Sequence, residues 1–199
     1  PKYPGEYLEY YIGGDLAISK SDQAAYTVFV VVGLNREGQL VVVDVSRFRG
    51  DSLEIIEEIF RLTLRYAPIL FFLEEENIAR SIGPVLYEKM LERQIFVPLS
   101  TCTPTQDKEK RAQSIRARMR AGGVRFNYKA HWYTNFMMEL ITFPRGKYMD
   151  QVDAFAHIGL GLAKMVPTYS AKDLADFEYD DEFEDGFSEN DGRSAITGY

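Results

Sequence analysis

Pro68-Ile69-Leu70-Phe71-Phe72-Leu73-Glu74-Glu75-Glu76-Asn77 is a continuous apolar run that ends abruptly in three carboxylates. An unbroken apolar run of this length suits a strand buried on both faces, which needs helices above and below it. Helical patterns flank it on both sides. Upstream, Asp51-Ser52 can cap a helix whose Leu53, Ile56, Ile59, Phe60, Leu62 and Leu64 form an apolar face through about Tyr66. Downstream, Ile78 to Arg93 is amphipathic, and Ile95 to Leu99 is a second short buried strand. A strand, helix, strand order implies parallel pairing through right-handed crossovers.

Before this unit lie three β-rich stretches: Tyr7 to Gly14, Ala25 to Gly33 and Gln39 to Ser46. The last two are joined by the turn Leu34-Asn35-Arg36-Glu37-Gly38, so the three read as an antiparallel meander. A meander followed by two crossover strands predicts an α/β fold of ribonuclease H type: a mixed sheet of five or more strands flanked by helices. Asp107 to Ala121 reads as a basic helix stopped by Gly122-Gly123, and Val124 to Phe126 as a short extended piece. His131 to Thr142 and Met149 to Met165 complete the helices, the latter largely buried through Val152, Phe155, Ala156, Ile158, Leu160 and Leu162.

A chain of 199 residues holds one domain with a full core. The expected organisation is a linker remnant over 1–6, the domain over 7–166 and an acidic, disordered tail over 167–199. The net charge of −7 is unevenly spread: from Ala171 onward ten acids face only Lys172 and Arg193, which leaves residues 1–170 at +1. A polyanionic partner is therefore compatible with an acidic pI, because the local field decides. The single cysteine, Cys102, excludes an internal disulfide and a cysteine-based zinc cage. The longest apolar stretches are too short to span a bilayer, and no leader opens the sequence, so the expectation is an intracellular protein that is not secreted.

Three groups of acids fall where this fold would gather them: Asp15 at the end of the first strand, Glu74 to Glu76 after the fourth, and Asp150 with Asp153 in the first turn of the last helix. Such a cluster repels itself unless a divalent cation sits in it, and hard oxygen ligands suit Mg²⁺ or Mn²⁺. Two such ions can activate a water and stabilise the leaving oxygen in phosphodiester cleavage. Alternation lets one or two of the glutamates face Asp15; Glu75 is the first choice and Glu74 the alternative. His157 shares a helical face with Asp150 and Asp153, and fits either a core histidine or a donor to a metal ligand. From Lys108 to Arg125 seven bases, among them Arg111, Arg116, Arg118 and Arg120, stand against Glu109 alone, the pattern of a phosphate-tracking surface. Phosphate-loop, nucleophile-elbow and HExxH patterns are absent.

The ordered set of motifs resembles the nuclease domain of tailed-phage large terminases. It comprises Ile12-Gly13-Gly14-Asp15-Leu16-Ala17 with Asp22, Phe72-Leu73-Glu74-Glu75-Glu76-Asn77, Asp107-Lys108 with Arg111, Gly122-Gly123-Val124, and Glu139-Leu140 through Phe143-Pro144-Arg145-Gly146 to Asp150-Gln151-Val152-Asp153-Ala154. The resemblance implies a metal-dependent endonuclease that cuts concatemeric viral DNA during packaging, with two Mg²⁺ or Mn²⁺ ions when DNA is bound. Asp15, Glu75 and Asp150 match the family's catalytic acids and Asp153 an accessory metal ligand; Lys108, Arg111, Arg116, Arg118 and Arg120 would hold DNA. The family often pairs acids before the Gln-Val-Asp-Ala step, where this chain has Met149. The resemblance further implies duplex DNA, an ATPase domain, a portal and a small terminase subunit as partners, in the cytoplasm of an infected bacterial cell. A non-catalytic DNA or portal docking module and a junction-resolvase-like nuclease are the competing readings.

Overall fold

The computed structural model describes residues 8–17, 25–74, 82–102 and 108–165. The six strands are β1 (Glu9–Asp15), β2 (Thr27–Leu34), β3 (Leu40–Phe48), β4 (Leu70–Glu74), β5 (Leu99–Cys102) and β6 (Val124–Phe126). The five helices are α1 (Ser52–Tyr66), α2 (Gly83–Arg93), α3 (Lys108–Arg120), α4 (Tyr133–Thr142) and α5 (Asp150–Met165). All lie in one unit of the chain, Pro1–Met165; the linker expected over 1–6 and the tail expected over 167–199 fall outside the described residues.

The strands form one sheet in the order β5-β4-β1-β2-β3-β6. β1, β2 and β3 make the antiparallel meander, while β4 runs parallel to β1 and β5 parallel to β4, as the crossover pattern predicts. Val124 to Phe126 is a full strand, paired in parallel with Leu40 to Val42 at the far edge. The first and fourth strands are neighbours, which brings their C-terminal ends together.

The core lies on both faces of this sheet, and β2 is buried along nearly its whole length. On one face Ile12, Phe29, Val31 and Phe71 pack against Ile55, Ile56 and Ile59 of α1 and Leu86 of α2. On the other, Tyr11, Val28, Val30 and Phe72 pack against Ile115 of α3, Phe136 of α4, and Phe155 and Ile158 of α5. Each such fully buried large side chain contributes about 1.5–3 kcal/mol relative to exposure. α1 begins at the expected cap: Asp51 Oδ1 accepts from the backbone N–H groups of Leu53 and Glu54 at 3.0 Å, and Glu54 Oε2 accepts from the Asp51 N–H at 2.9 Å.

The structure corrects several expectations. Leu53 and Leu64 point to solvent at 54% and 69% exposure, so the buried stripe of α1 is narrower than its apolar content. The fourth strand begins at Leu70 rather than Pro68, and the fifth spans Leu99 to Cys102 rather than Ile95 to Leu99. In the second case the backbone explains the shift. Gln94 adopts a left-handed conformation and the Ile95 N–H closes α2 on the Met90 carbonyl at 3.2 Å, so 95–98 is a connector.

α5 crosses the sheet at unusually short range. A Cβ on Gly13 would overlap the Ala154 carbonyl oxygen, and one on Gly159 would overlap Ser114 and Ile115 of α3. These glycines let β1, α5 and α3 meet directly under the carboxylate end of the sheet.

Candidate active site

The register of β1 with β4 pairs Tyr11 with Leu70, Ile12 with Phe71 and Gly13 with Phe72. Carried two residues on, it sets Asp15 beside Glu74. Which face they share follows from alternation. The rings of Tyr11 and Phe72 stack at 6.1 Å between centroids on the α5 face, and Gly13 abuts α5. Asp15 and Glu74, each an even number of residues from these, belong to that face. Asp15 is held on a stiff segment, because buried Thr27 closes the chain just after it: its Oγ1 accepts from the Ala17 N–H at 3.0 Å and donates to the Ala17 carbonyl at 2.9 Å.

Arg111 of α3 reaches into this corner. Its Nη1 lies 3.4 Å from Glu74 Oε1 and its Nη2 3.2 Å from Asp153 Oδ1 of α5, and its buried Nε has no hydrogen-bond partner among the described residues. One guanidinium thus joins the end of β4, the basic helix and the last helix. With side chains only 7–19% exposed, removing one partner leaves a buried charge uncompensated, a cost of about 3–5 kcal/mol.

His157, one turn beyond Asp153, is buried, and its Nδ1 lies 2.9 Å from the Gly14 carbonyl oxygen. The tautomer with hydrogen on Nδ1 donates that bond. Burial pushes the imidazole below its usual range, and the Gly14 bond opposes that only in part, so the ring is neutral at pH 7. His157 is therefore a satisfied core residue that pins the strand end carrying Asp15 to α5.

Asp150 does different work one turn earlier. Its Oδ2 accepts from the Tyr26 backbone N–H at 3.2 Å, tying the entry of β2 to the start of α5. Next to it, Glu139 of α4 accepts from the Gln151 N–H at 2.9 Å and from Gln151 Nε2 at 2.7 Å, and lies 3.6 Å from Arg47 Nη2. An acid at a helix N-terminus suits the dipole. Burial holds the Glu139 carboxyl above the usual carboxylate range, against the lowering effect of the Gln151 bonds and Arg47. Glu139 had no role in the sequence reading, since twelve residues separate it from the amide it caps.

The expected site residues are thus distributed as follows. Glu74 and Asp153 converge on Arg111, and the β1–β4 register sets the strand end that bears Asp15 beside Glu74; Asp150 sits on the flank. Glu75 and Glu76 lie outside the described residues. Of the basic helix, Arg111 is at the corner, whereas Arg118 donates to the Gly38 carbonyl at 3.2 Å, at the opposite end of the sheet; Arg116 and Arg120 are exposed nearby on α3. Among the described residues no group of three or more His, Cys, Asp or Glu side chains is set to hold a metal. The donors that do converge are hard carboxylate oxygens arranged around a cationic group, a chemistry that fits Mg²⁺ or Mn²⁺.

No protein-family pattern matches the chain, and no curated protein matches it by sequence. Solved structures do match. The large terminase nuclease of thermophilic phage G20c with bound magnesium is 17% identical, with 79% of this chain and 82% of that chain covered and a TM-score of 0.56. The Thermus phage P74-26 large terminase nuclease domain is 18% identical over 75% of this chain and 77% of that chain, with a TM-score of 0.53. The large terminase of thermophilic bacteriophage D6E in complex with ADP gives 13% identity and a TM-score of 0.57; there 82% of this chain covers 42% of that one. The class is therefore that of ribonuclease H-like α/β proteins. Within it, the chain has the fold of large terminase nuclease domains. No helix among the described residues is long and apolar enough to cross a membrane.

Proposed function

We propose that this chain is a Mg²⁺- or Mn²⁺-dependent DNA endonuclease of the large-terminase kind, hydrolysing phosphodiester bonds at the carboxylate end of its sheet. The observation that carries this is the convergence of Glu74 and Asp153 on Arg111 beside the strand end that bears Asp15. Asp15, Glu74 and Asp153 would hold the ions, two when DNA is bound, with Asp150 on the flank and Glu75 the alternative on β4. A divalent cation bound there supplies polarisation of the scissile phosphate and activation of a water at neutral pH. The chain's own contribution is geometric and electrostatic. Thr27 and His157 fix the Asp15 strand end, and Arg111 pairs with two carboxylates and adds positive charge facing a phosphate. Lys108, Arg116, Arg118 and Arg120 extend that charge along α3 for the DNA backbone.

In this reading the substrate is concatemeric viral DNA, cut during packaging in the cytoplasm of an infected bacterium. An ATPase domain, portal and small terminase subunit are its partners. Supercoiled plasmid incubated with Mn²⁺ tests the chemistry. Wild type nicks and linearises it, chelator stops the reaction, and Asp15→Ala lowers the rate by about 10²-fold or more, as expected when the electrostatic core of a site is removed. Equal nicking by wild type and Asp15→Ala would overturn the assignment, and DNA binding without any cleavage would favour the docking module.

A further inference from the structure

Val28 of β2 pairs with Asp15 on one side and with Arg47 of β3 on the other. The three residues make one rung across the sheet, and directly opposed residues share a face. Val28 packs into the α3–α5 core, and Arg47 reaches Glu139 of α4 on that same side. Arg47 therefore stands two strands from Asp15, about 10 Å at normal strand spacing. Glu74, which Arg111 contacts, lies on the other side of Asp15.

What surrounds Arg47 is a basic and aromatic cluster. Its Cζ lies 3.6 Å from the centroid of the Tyr26 ring, and the Cζ of Arg49 lies 3.9 Å from the same centroid. Both guanidinium groups thus lie against the one Tyr26 ring. Tyr148 meets Tyr26 edge-on at 5.5 Å; Arg47 is 5.2 Å and Lys147 Nζ 5.1 Å from the Tyr148 ring. The cluster is fixed to the site, because the Tyr26 N–H bonds Asp150. Stacking uses the flat face of a guanidinium and leaves its edge N–H groups to donate in plane. The buried Nε of Arg47 has no hydrogen-bond partner among the described residues.

The geometry points to a phosphate-holding ledge, formed by Arg47 and Arg49 stacked on Tyr26 with Lys147 on Tyr148, that grips the DNA backbone on the side of Asp15 away from Glu74 and Arg111. The inference rests on the proposed nuclease function. It assigns the DNA strand a path: across the sheet end from Arg111, past Asp15, to the Tyr26 ledge. Backbone contact explains why the cluster offers guanidinium edges and no amide side chain for reading bases.

The test measures duplex-DNA affinity in chelator at several salt concentrations, and then Mn²⁺-dependent nicking, for wild type, Arg49→Ala, Arg49→Glu, Lys147→Glu, Tyr26→Leu and Tyr26→Phe. Lys89→Ala on α2, on the other face of the sheet, serves as control. Expected are a loss of about 3–10-fold in affinity and a fall of about one in the salt slope for Arg49→Ala, since each phosphate contact contributes about one released counterion. Charge reversal loses more. Tyr26→Leu behaves as Arg49→Ala while Tyr26→Phe, which keeps the stacking ring, behaves as wild type. In nicking, KM rises and kcat is retained. Unchanged affinity and salt slope in Arg49→Glu and Lys147→Glu overturn the ledge while leaving the nuclease assignment standing. A wild type that binds DNA with these sensitivities yet never cuts overturns the nuclease and supports the ledge. A wild type that does not bind DNA overturns both.

Discussion

Glu74 is the last residue of β4, whereas Glu75 lies outside the described residues. Glu74 shares the α5 face with Phe72 and contacts Arg111, which is why the proposed cation site uses it with Asp15 and Asp153. Glu74→Gln should lower Mn²⁺-dependent nicking by about 10²-fold, in the range for losing one preorganised charged group at an active site. Glu75→Gln should stay within a few-fold of wild type. Side-by-side plasmid assays, with circular dichroism to verify folding, decide it; the reverse order would move the role to Glu75. Sequence alone preferred Glu75, because period-2 reasoning supplies alternation but no phase until the β1–β4 register is known. Asp15 poses no such choice, being a lone acid after Gly13-Gly14 at the end of β1.

At the scale of elements, β3 is the strand that ties the two faces together. Asp44, buried in β3, accepts a 2.6 Å hydrogen bond from the Tyr66 hydroxyl at the end of α1 and bonds the Val45 N–H at 3.0 Å. Burial first, and then the Asp44 carboxylate, push the Tyr66 hydroxyl well above the ordinary tyrosine range. The sign follows: a group whose pKa is raised by folding contributes its full stabilisation below its unfolded value near 10, and that contribution falls as pH rises beyond it. Tyr66→Phe should destabilise the chain by about 1–3 kcal/mol at neutral pH, because a buried acceptor loses its donor. It should also flatten the fall in melting temperature above pH 10, measured by thermal denaturation across a pH series. This tie leaves no mark in the sequence, where Asp44 and Tyr66 stand 22 residues apart. The same holds for Arg47 and Tyr26, whose approach to the site exists only through the Val28 rung.

Over the whole molecule, strand order and helix order were legible, since apolar runs, amphipathic periods and Gly or Asp-Ser punctuation all agreed on the same layers. The long-range placements of Arg111, Glu139 and Arg47 were not, because side-chain pairs 12 to 92 residues apart leave no local pattern. The proposed cation site draws on Asp15, Glu74 and Asp153, which an unfolded chain does not hold together. A cation that needs all three must therefore bind the folded state alone and stabilise it by mass action. At free Mn²⁺ about a hundredfold above its dissociation constant the gain is about 2.7 kcal/mol. For a chain of this size that corresponds to a rise of about 5–10 °C in melting temperature. Asp15→Asn and Asp153→Asn should each abolish most of that rise, while Asp44→Asn, which sits away from the carboxylate corner, should keep it whatever its effect on the metal-free protein. Differential scanning calorimetry in chelator and in millimolar Mn²⁺ gives the answer without any DNA present. Equal Mn²⁺-dependent shifts in Asp15→Asn and wild type would mean that the cation binds elsewhere on the chain.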